Sequence, residues 1–234
     1  MTRTRRATVA MLLVGLAIFS SLYSTQAILP TLVRNMGLSS TEAAMTVSAA
    51  TGALALCVVP ASILSERFGR GRILLISAVA ATGVGLIVPL AQEGWQLIVV
   101  RGLQGALLSG APATAMAWLS EELDDKALPR AMGLYIAGTS VGGLTGRLIP
   151  TGLVEISTWR WALFGSALVS LAFAITSWLL LPTQRNFRPK SIHLKTESRA
   201  LLGHWANRDL ALLFLTAFLS MGTFVSMYNF LTFR

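Results

Sequence analysis

Two arginines lie inside long apolar stretches of the chain, where a charged side chain is unusual. Arg101 and Arg147 each lie about six residues, or ~9 Å at 1.5 Å per residue, from the end of an apolar run. A charged side chain at such depth is costly unless it bonds to polar groups or reaches a membrane surface. The interiors of the apolar runs contain no Asp or Glu. We therefore expect amide or hydroxyl partners, water or an anionic ligand, the alternative being arginines that only extend to lipid headgroups.

Residues for enzymatic chemistry are scarce. The only histidines, His193 and His204, lie in a polar stretch, and the single cysteine, Cys57, lies in an apolar run where a small packing role suffices. Neither metal-ligand spacing nor a nucleophile–His–acid set can be assembled from them. We expect a protein that is not an enzyme and that has no cofactor, catalytic residue or metal site.

A short charged run, Ser62–Arg72, separates two of the apolar runs. It contains one acid, three arginines and two glycines: Glu66, Arg67, Arg70, Arg72, Gly69 and Gly71. The glycines can take positive φ and allow a tight reversal, and the arginines can bind helix-terminal carbonyls and lipid phosphates. A carboxylate near a helix C-terminus is repelled by the dipole, so Glu66 needs a cationic partner. The simplest interpretation is a basic hairpin between two membrane-spanning helices.

Composition also indicates a membrane protein. Hydrophobic residues make up 54% of the 234 positions and charged residues 12%, against ~25% charged residues in soluble domains. The apolar runs predict seven spans: Ala7–Leu29, Ala43–Ser65, Ile73–Ala91, Trp95–Leu119, Arg130–Leu153, Trp161–Leu181 and Leu210–Phe233.

The first apolar run, Ala7–Leu29, has a second interpretation as a cleavable signal peptide. At ~35 Å as a helix it is too long for a signal core, and similar runs follow it. We therefore interpret it as the first span. Pro30 is expected to end this span, and Thr31–Glu42 to form a short polar loop.

Basic residues are distributed unequally between the two sides of the predicted spans. With the N-terminus in the cytoplasm, fourteen lie inside: Arg3, Arg5, Arg6, Arg67, Arg70, Arg72, Lys126, Arg130, Arg185, Arg188, Lys190, Lys195, Arg199 and Arg208. Only Arg34, Arg160 and Arg234 lie outside. This asymmetry is typical of the positive-inside rule, and it explains the net charge of +9 without nucleic acid.

The charged run resembles the signature between the second and third helices of the major facilitator superfamily (MFS). That signature has a small residue and, after three positions, an acid, a basic residue, any residue, glycine and two basic residues. Arg67, Gly69 and Arg70 match it. Three positions differ, since the family has glycine, aspartate and a second basic residue at Ser62, Glu66 and Gly71.

The fourth and fifth spans carry further resemblance. Arg101, Gln104 and Gly105 match the fourth-helix MFS signature of arginine, two residues, glutamine and glycine, with Leu107 in place of its second glycine. The stretch from Gly138 to Arg147 resembles the glycine-rich fifth helix of MFS antiporters, although that pattern has proline where Arg147 stands. Together with Trp159–Leu163, it is similar to bacterial permeases of the drug or arabinose-efflux type.

The resemblance implies site residues. By this resemblance, Arg101 is expected to take part in proton coupling. A central cavity would be lined by Tyr23, Gln26, Arg101, Gln104, Arg147, Tyr228 and Asn229. A cytoplasmic gate would comprise Ser62, Glu66, Arg67, Gly69, Arg70, Glu121 and Glu122, in which Arg70 or Arg72 pairs with Glu121 or Glu122. Close helix packing is expected at Gly105, Gly142, Gly143 and Gly146.

The expected fold is an all-α polytopic membrane protein. Residues 1–182 correspond to the MFS N-terminal six-helix bundle of two three-helix inverted repeats, residues 183–208 to a cytoplasmic connector, and residues 209–234 to a seventh helix. Within the connector, Leu194, Leu201, Leu202 and Trp205 recur at helical spacing and favour a short amphipathic helix, the alternative being a disordered basic tether. The chain is then expected to be a truncated product, a gene fragment or half of a split transporter.

The expected function is transport in the cell (inner or plasma) membrane, by proton-coupled efflux of drug- or sugar-like molecules. The expected partners are membrane lipid, substrate, protons and a separately encoded C-terminal half. A truncated bundle that acts as a scaffold or regulatory partner is the alternative.

Overall fold

The computed structural model describes residues 1–189 and 207–232. Regular secondary structure in these ranges is entirely helical, with no strand, which confirms the all-α class. The chain divides into two compact units, Met1–Pro189 and Lys190–Arg234. The predicted amphipathic connector helix lies outside the described residues.

The first span is longer than predicted and consists of two helices. Helix α1 covers Arg3–Tyr23, a 3-10 turn follows at Gln26–Ile28, and helix α2 covers Leu29–Met36. The prediction that Pro30 ends the span and begins a polar loop is wrong. Pro30 is the second residue of α2, where its missing N–H breaks no helical hydrogen bond. Gly37 ends α2 with a φ of 67°.

Helices α3 and α4 flank the charged run. Helix α3, Ser40–Phe68, begins at a capping box in which the Ser39 hydroxyl accepts from the Glu42 amide and the Glu42 carboxylate accepts from the Ser39 amide. Helix α4, Arg70–Gly85, follows after a single residue, Gly69, whose φ is 100°.

The fourth predicted span is built from two consecutive helices, α5 at Gly94–Leu108 and α6 at Gly110–Glu122. Pro112 has no N–H to donate to the Leu108 carbonyl, which explains the interruption between them. Ser109, between the two, keeps helical dihedrals, so the chain continues in the same direction.

The remaining helices are long and follow the predicted spans. Helix α7 covers Leu128–Ile156 and helix α8 covers Trp159–Leu180. In the second unit, helix α9 covers Arg208–Thr232, and the Asn207 side chain accepts from the Asp209 amide at its start.

Helix α1 forms the centre of the first unit. It packs most extensively against α7 and also against α8 and α4, while α3 packs along α5. One buried cluster runs along most of α1 and includes Met11, Ile18 and Trp118. A second, at the end of the bundle near α2, includes Leu32, Leu97 and Trp159.

The outer surface of the bundle suits lipid. Leu56 on α3 is 79% exposed and Leu179 on α8 is 70% exposed, as expected where hydrocarbon replaces water as the surrounding medium. By length and apolarity, four helical segments of the described chain are long enough to cross a membrane: Arg3–Met36, Ser40–Phe68, Arg70–Leu90 and Trp159–Leu180.

Candidate functional site

Arg101 and Gln104 are three residues apart on α5 and therefore lie on one face of that helix. The helix begins at a capping box of Glu93 and Gln96, in which the Glu93 amide donates to Gln96 Oε1 at 3.3 Å. Arg101 is 0% exposed and Gln104 is 1% exposed. A buried guanidinium of this kind requires polar partners on the helices around it.

The partners of Arg101 are mainly carbonyl oxygens at the end of α1. Its Nη1 donates to the Ser21 carbonyl at 3.0 Å, its Nη2 donates to the Leu22 carbonyl, and its Nε donates to the Thr46 carbonyl at 3.5 Å. Because α1 ends at Tyr23, the carbonyls of its last turn have no helical donors and carry the negative end of the helix dipole. Arg101 therefore caps α1 from the side.

Gln104 orients the guanidinium and extends the network. Its Oε1 accepts from Arg101 Nη1 at 2.5 Å, while its Nε2 donates to Ser21 Oγ at 2.8 Å and to the Ala81 carbonyl of α4 at 3.2 Å. All polar atoms of the amide are therefore bonded, and the pair joins α1, α3, α4 and α5 in one polar cluster.

Arg147 forms a second cluster on the other side of the end of α1. Its Cζ lies 4.3 Å from the centre of the Tyr23 ring, within cation–π range. Its Nε donates to Gln26 Oε1 at 3.0 Å, and its Nη1 donates to the Gly143 carbonyl at 2.9 Å. Arg147 is half-buried, whereas Arg101 is fully buried.

The structure thus brings five of the predicted cavity residues to the end of α1, in two neighbouring groups. Arg101 and Gln104 bind the carbonyls just before Tyr23, and Arg147 covers the Tyr23 ring itself and bonds to Gln26. Tyr228 and Asn229 belong to α9, and their side chains lie outside the described residues.

The charged run forms a polar cluster at the opposite end of α1. Arg70 Nε donates to Glu121 Oε1 at 2.5 Å, which confirms the predicted pairing of this loop with the end of the fourth span. Arg70 Nη2 also lies 3.4 Å from Glu66 Oε1, which supplies the cationic partner expected for that acid. Ser62 takes part through its carbonyl, which accepts from Ser65 Oγ at 2.6 Å. Arg67 is exposed and lies 5.4 Å from the Phe68 ring centre.

The two glycines of the run have different roles, although both were expected to turn the chain. Gly69 makes the turn, with a φ of 100°, whereas Gly71 lies within α4. A Cβ at Gly71 would stand 2.8 Å from Nε1 of the buried Trp118, so this glycine gives α4 room beside α6.

Glu122 has partners that the sequence did not suggest. Its carboxylate accepts from Arg3 Nη2 at 2.5 Å and from the backbone amides of Arg185 at 2.8 Å and Asn186 at 2.7 Å. The side chain of Glu122 is fully buried. Among the contacts of the described residues, Glu121 binds the loop, whereas Glu122 joins the N-terminus to the segment after α8.

Close helix packing occurs at three of the four predicted glycines. Cβ atoms at Gly142 and Gly146 would meet the backbone of α1, at 2.8 Å from the Gly15 carbonyl oxygen and 2.5 Å from the Ser20 carbonyl oxygen. A Cβ at Gly105 would collide with the backbone of Ala50. Gly143 differs, because its nearest neighbours are the side chains of Tyr23 and Arg147 at ordinary contact distance.

Sequence reasoning missed two further contacts between α1 and α7. Gly15 approaches the backbone of α7 as closely as Gly142 approaches α1, and Ser20 Oγ donates to the Gly142 carbonyl at 3.1 Å. The available signal was that both residues are small and lie within the first apolar run. Within residues 1–189 and 207–232, no group of His, Cys, Asp and Glu could hold a metal ion.

Comparison with known proteins agrees with this architecture. The chain is 36% identical over 229 residues to the inner membrane transport protein YnfM of Escherichia coli, covering 98% of this chain and 55% of YnfM. It is 29% identical over 148 residues (62% of this chain, 35% of the relative) to the probable 4-methylmuconolactone transporter of Cupriavidus pinatubonensis. It is 28% identical over 158 residues (67% of this chain, 31% of the relative) to the puromycin resistance protein pur8 of Streptomyces alboniger.

The family is identified by the extent of the match. The chain spans about half the length of the curated relatives that resemble it over nearly its whole length. The sequence model of the Major Facilitator Superfamily matches residues 11–234. The helical bundle therefore belongs to a known family, and the chain is a member of the Major Facilitator Superfamily.

Proposed function

We propose that the chain forms the N-terminal part of a proton-coupled exporter of small, drug- or sugar-like molecules. The observation that carries this proposal is the position of Arg101, fully buried and bonded to the carbonyls at the end of α1. A permanent charge fixed at the junction of several helices acts on any titrating group or anionic substrate that comes near it.

Arg101 does not itself carry the proton in this proposal, because its guanidinium stays charged at neutral pH. Its part is to raise the local positive potential and to couple that potential to helix movement. Any shift of α5 along α1 must exchange the bonds to Ser21 and Leu22 for others. A proton or substrate that favours one arrangement therefore shifts the equilibrium between two conformations.

Arg147, Tyr23 and Gln26 form the proposed substrate wall. Together they offer a positive charge, an aromatic face and an amide. This combination can bind an aromatic or polar organic molecule and favours a partial or full negative charge. The names of two relatives, a 4-methylmuconolactone transporter and a puromycin resistance protein, support small organic molecules as the substrate class.

The cluster of Arg70, Glu66 and Glu121 is the proposed inward gate. It links the α3–α4 turn to the end of α6 through charge-assisted hydrogen bonds. Transporters of this kind alternate access by rocking one bundle against another around a fixed site. The gate would hold one end of this bundle together and release the partner bundle as the two move.

Complete transport, in this proposal, requires a second bundle. The relatives are nearly twice as long as this chain, and a rocking mechanism needs two bodies.

The second candidate function is that of a non-transporting scaffold or regulatory bundle. It is favoured by the first unit, which has its own buried core.

Reconstitution in proteoliposomes tests these functions. The chain is compared alone and with a co-expressed C-terminal half from a related full-length permease, with labelled puromycin, 4-methylmuconolactone and arabinose as probes. We expect saturable, proton-gradient-dependent transport only when both halves are present, and its loss in Arg101→Ala. Transport by the 234-residue chain alone would refute the requirement for a second bundle. Absence of transport in both preparations, with the two halves binding each other, would favour the scaffold.

A further inference from the structure

A small cavity lies beside Gln104, between α1, α4, α5 and α8. Its volume is about 10 Å³, close to the least space of ~10–15 Å³ that a single water molecule needs. Its polar lining comes from four serines and one amide: Ser21, Ser24, Ser166, Ser170 and Gln104. Apolar cavities stay dry, whereas a cavity with several hydroxyls binds water.

Ser166 on α8 supplies the main observation. The residue is 1% exposed, and its Oγ has no hydrogen-bond partner among the described residues. Buried hydroxyls in native proteins are bonded in the large majority of cases, and an exception calls for an explanation. Ser170, one turn further along α8, has its own bond, because its Oγ donates to the Ser166 carbonyl at 3.0 Å.

The hydroxyls across the cavity can complete the coordination of a water molecule. Ser21 Oγ accepts from Gln104 Nε2 at 2.8 Å and therefore still has a proton to donate. Ser24 Oγ donates to the Ser21 carbonyl at 3.0 Å and can still accept. With Ser166 these make three polar partners, the typical number for a buried water.

Gly85 of α4 keeps this space open. A Cβ at Gly85 would stand 2.9 Å from Gln104 Nε2 and 3.3 Å from the Cβ of Ala167. Because Gly85 lines the cavity, any larger residue here would project into the space between α1, α5 and α8.

We propose that this cavity binds one water molecule, which bridges Ser166 on α8 to Ser21 and thereby to Gln104 and Arg101. The water brings α8 into the polar cluster, although no α8 residue was predicted to be part of the site. Ser166 is then a positioning residue that acts on Gln104 through water. The inference concerns the folded bundle and holds whether or not the chain transports.

X-ray radiolytic labelling read by mass spectrometry tests the water directly. Radicals form from the trapped water itself and label neighbouring side chains that bulk solvent does not reach. Leu163 lines the cavity and is 2% exposed, whereas Leu97, in the same apolar cluster, is 0% exposed and does not line it. We expect severalfold faster labelling of Leu163 than of Leu97 in the purified chain. Equal rates for the two leucines would overturn the proposal.

Two variants give an independent readout. Gly85→Ala fills the space, so the labelling rate of Leu163 should fall to that of Leu97. A labelling rate of Leu163 that stays high in this variant would count against this site. Ser166→Ala removes one partner of the water and should lower Tm. Ser177→Ala is the control, because among the described residues the Ser177 hydroxyl bonds to the Ala174 carbonyl of its own helix alone. In a dry cavity Ser166→Ala would remove an unbonded buried hydroxyl and raise Tm, which would contradict the proposal. If Gly85→Ala does not fold, the comparison of Leu163 with Leu97 still decides.

Discussion

The guanidinium carbon of Arg147 lies 4.3 Å from the centre of the Tyr23 ring. This contact joins α7 to the last residue of α1, where the helix ends and its carbonyls bind Arg101. The ring shields one face of the charge, while the Gln26 amide and the Gly143 carbonyl hold its edge. These contacts hold the charge in one place.

Replacement of Tyr23 should separate the role of its aromatic face from that of its hydroxyl. We expect Tyr23→Phe to keep the stability of the bundle and Tyr23→Leu to lose about 0.5–2 kcal/mol, the range for a cation–π contact. Thermal unfolding in detergent measures both variants. Equal stability of the Phe and Leu variants would show that the ring face does not contribute.

Removal of Arg101 should be among the most destabilising single changes in the bundle. Arg101→Ala removes the donor of the buried Leu22 carbonyl and one donor each of the Ser21 and Thr46 carbonyls, and we expect a loss of about 3 kcal/mol. Arg101→Lys should recover only part of it, since an ammonium cannot reproduce the planar fork. The measurement is denaturant unfolding, with the exposed Arg34→Ala as a control that should change little. A loss for Arg101→Ala no larger than that control would be inconsistent with the capping role.

The ion pair of Arg70 and Glu121 should show measurable coupling. Their side chains are 12% and 31% exposed, so solvent weakens the attraction, and a double-mutant cycle should give about 0.5–1 kcal/mol. The exchanged pair Arg70→Glu with Glu121→Arg should recover part of the stability lost by either change alone. A parallel cycle of Arg67 with Glu121 serves as control, and similar coupling in both cycles would argue against a specific pair.

Glycines along α7 should respond to alanine in opposite ways. Gly142→Ala places a Cβ 2.8 Å from the Gly15 carbonyl oxygen and should destabilise the bundle by about 1–3 kcal/mol, because backbone atoms cannot move aside easily. At Gly152, in the same helix, a Cβ meets nothing within 4 Å, and alanine should stabilise by about 0.5–1 kcal/mol. Thermal unfolding compares the two. Loss of stability in both would point to a general intolerance of α7 rather than to its contact with α1.

Membrane orientation is predicted from the basic residues, with the N-terminus and the segment after α8 in the cytoplasm. The test replaces Cys57 and introduces Asn35→Cys or Lys195→Cys, followed by an impermeant thiol reagent on intact cells. We expect labelling at position 35, which is exposed at the end of α2, and protection at position 195. The reverse pattern would invert the assignment.

The sequence by itself determined the all-α fold class. For most spans it also predicted where each helix begins and ends to within a few residues. Apolar runs of membrane-crossing length admit few structures other than helices, because backbone groups in lipid must bond within their own segment. The alternating direction of the spans and the family resemblance also predicted that Arg70 or Arg72 meets Glu121 or Glu122, because both ends return to one side, but they did not select Arg70 and Glu121 among these. Where the local pattern was ambiguous it failed, as at Pro30, which can either end one helix or start the next.

Only the tertiary structure decided the partners of the buried charges. Arg101 binds backbone carbonyls of α1 and α3, and every residue has a carbonyl, so residue types contain no signal for this choice. Glu122 was expected to bind the charged run and instead binds Arg3 and two backbone amides after α8. The positions of the N-terminus and of the segment after α8 depend on how the bundle packs. The cavity at Ser166 has the same origin: it exists only where four helices meet, and none of them encodes it alone.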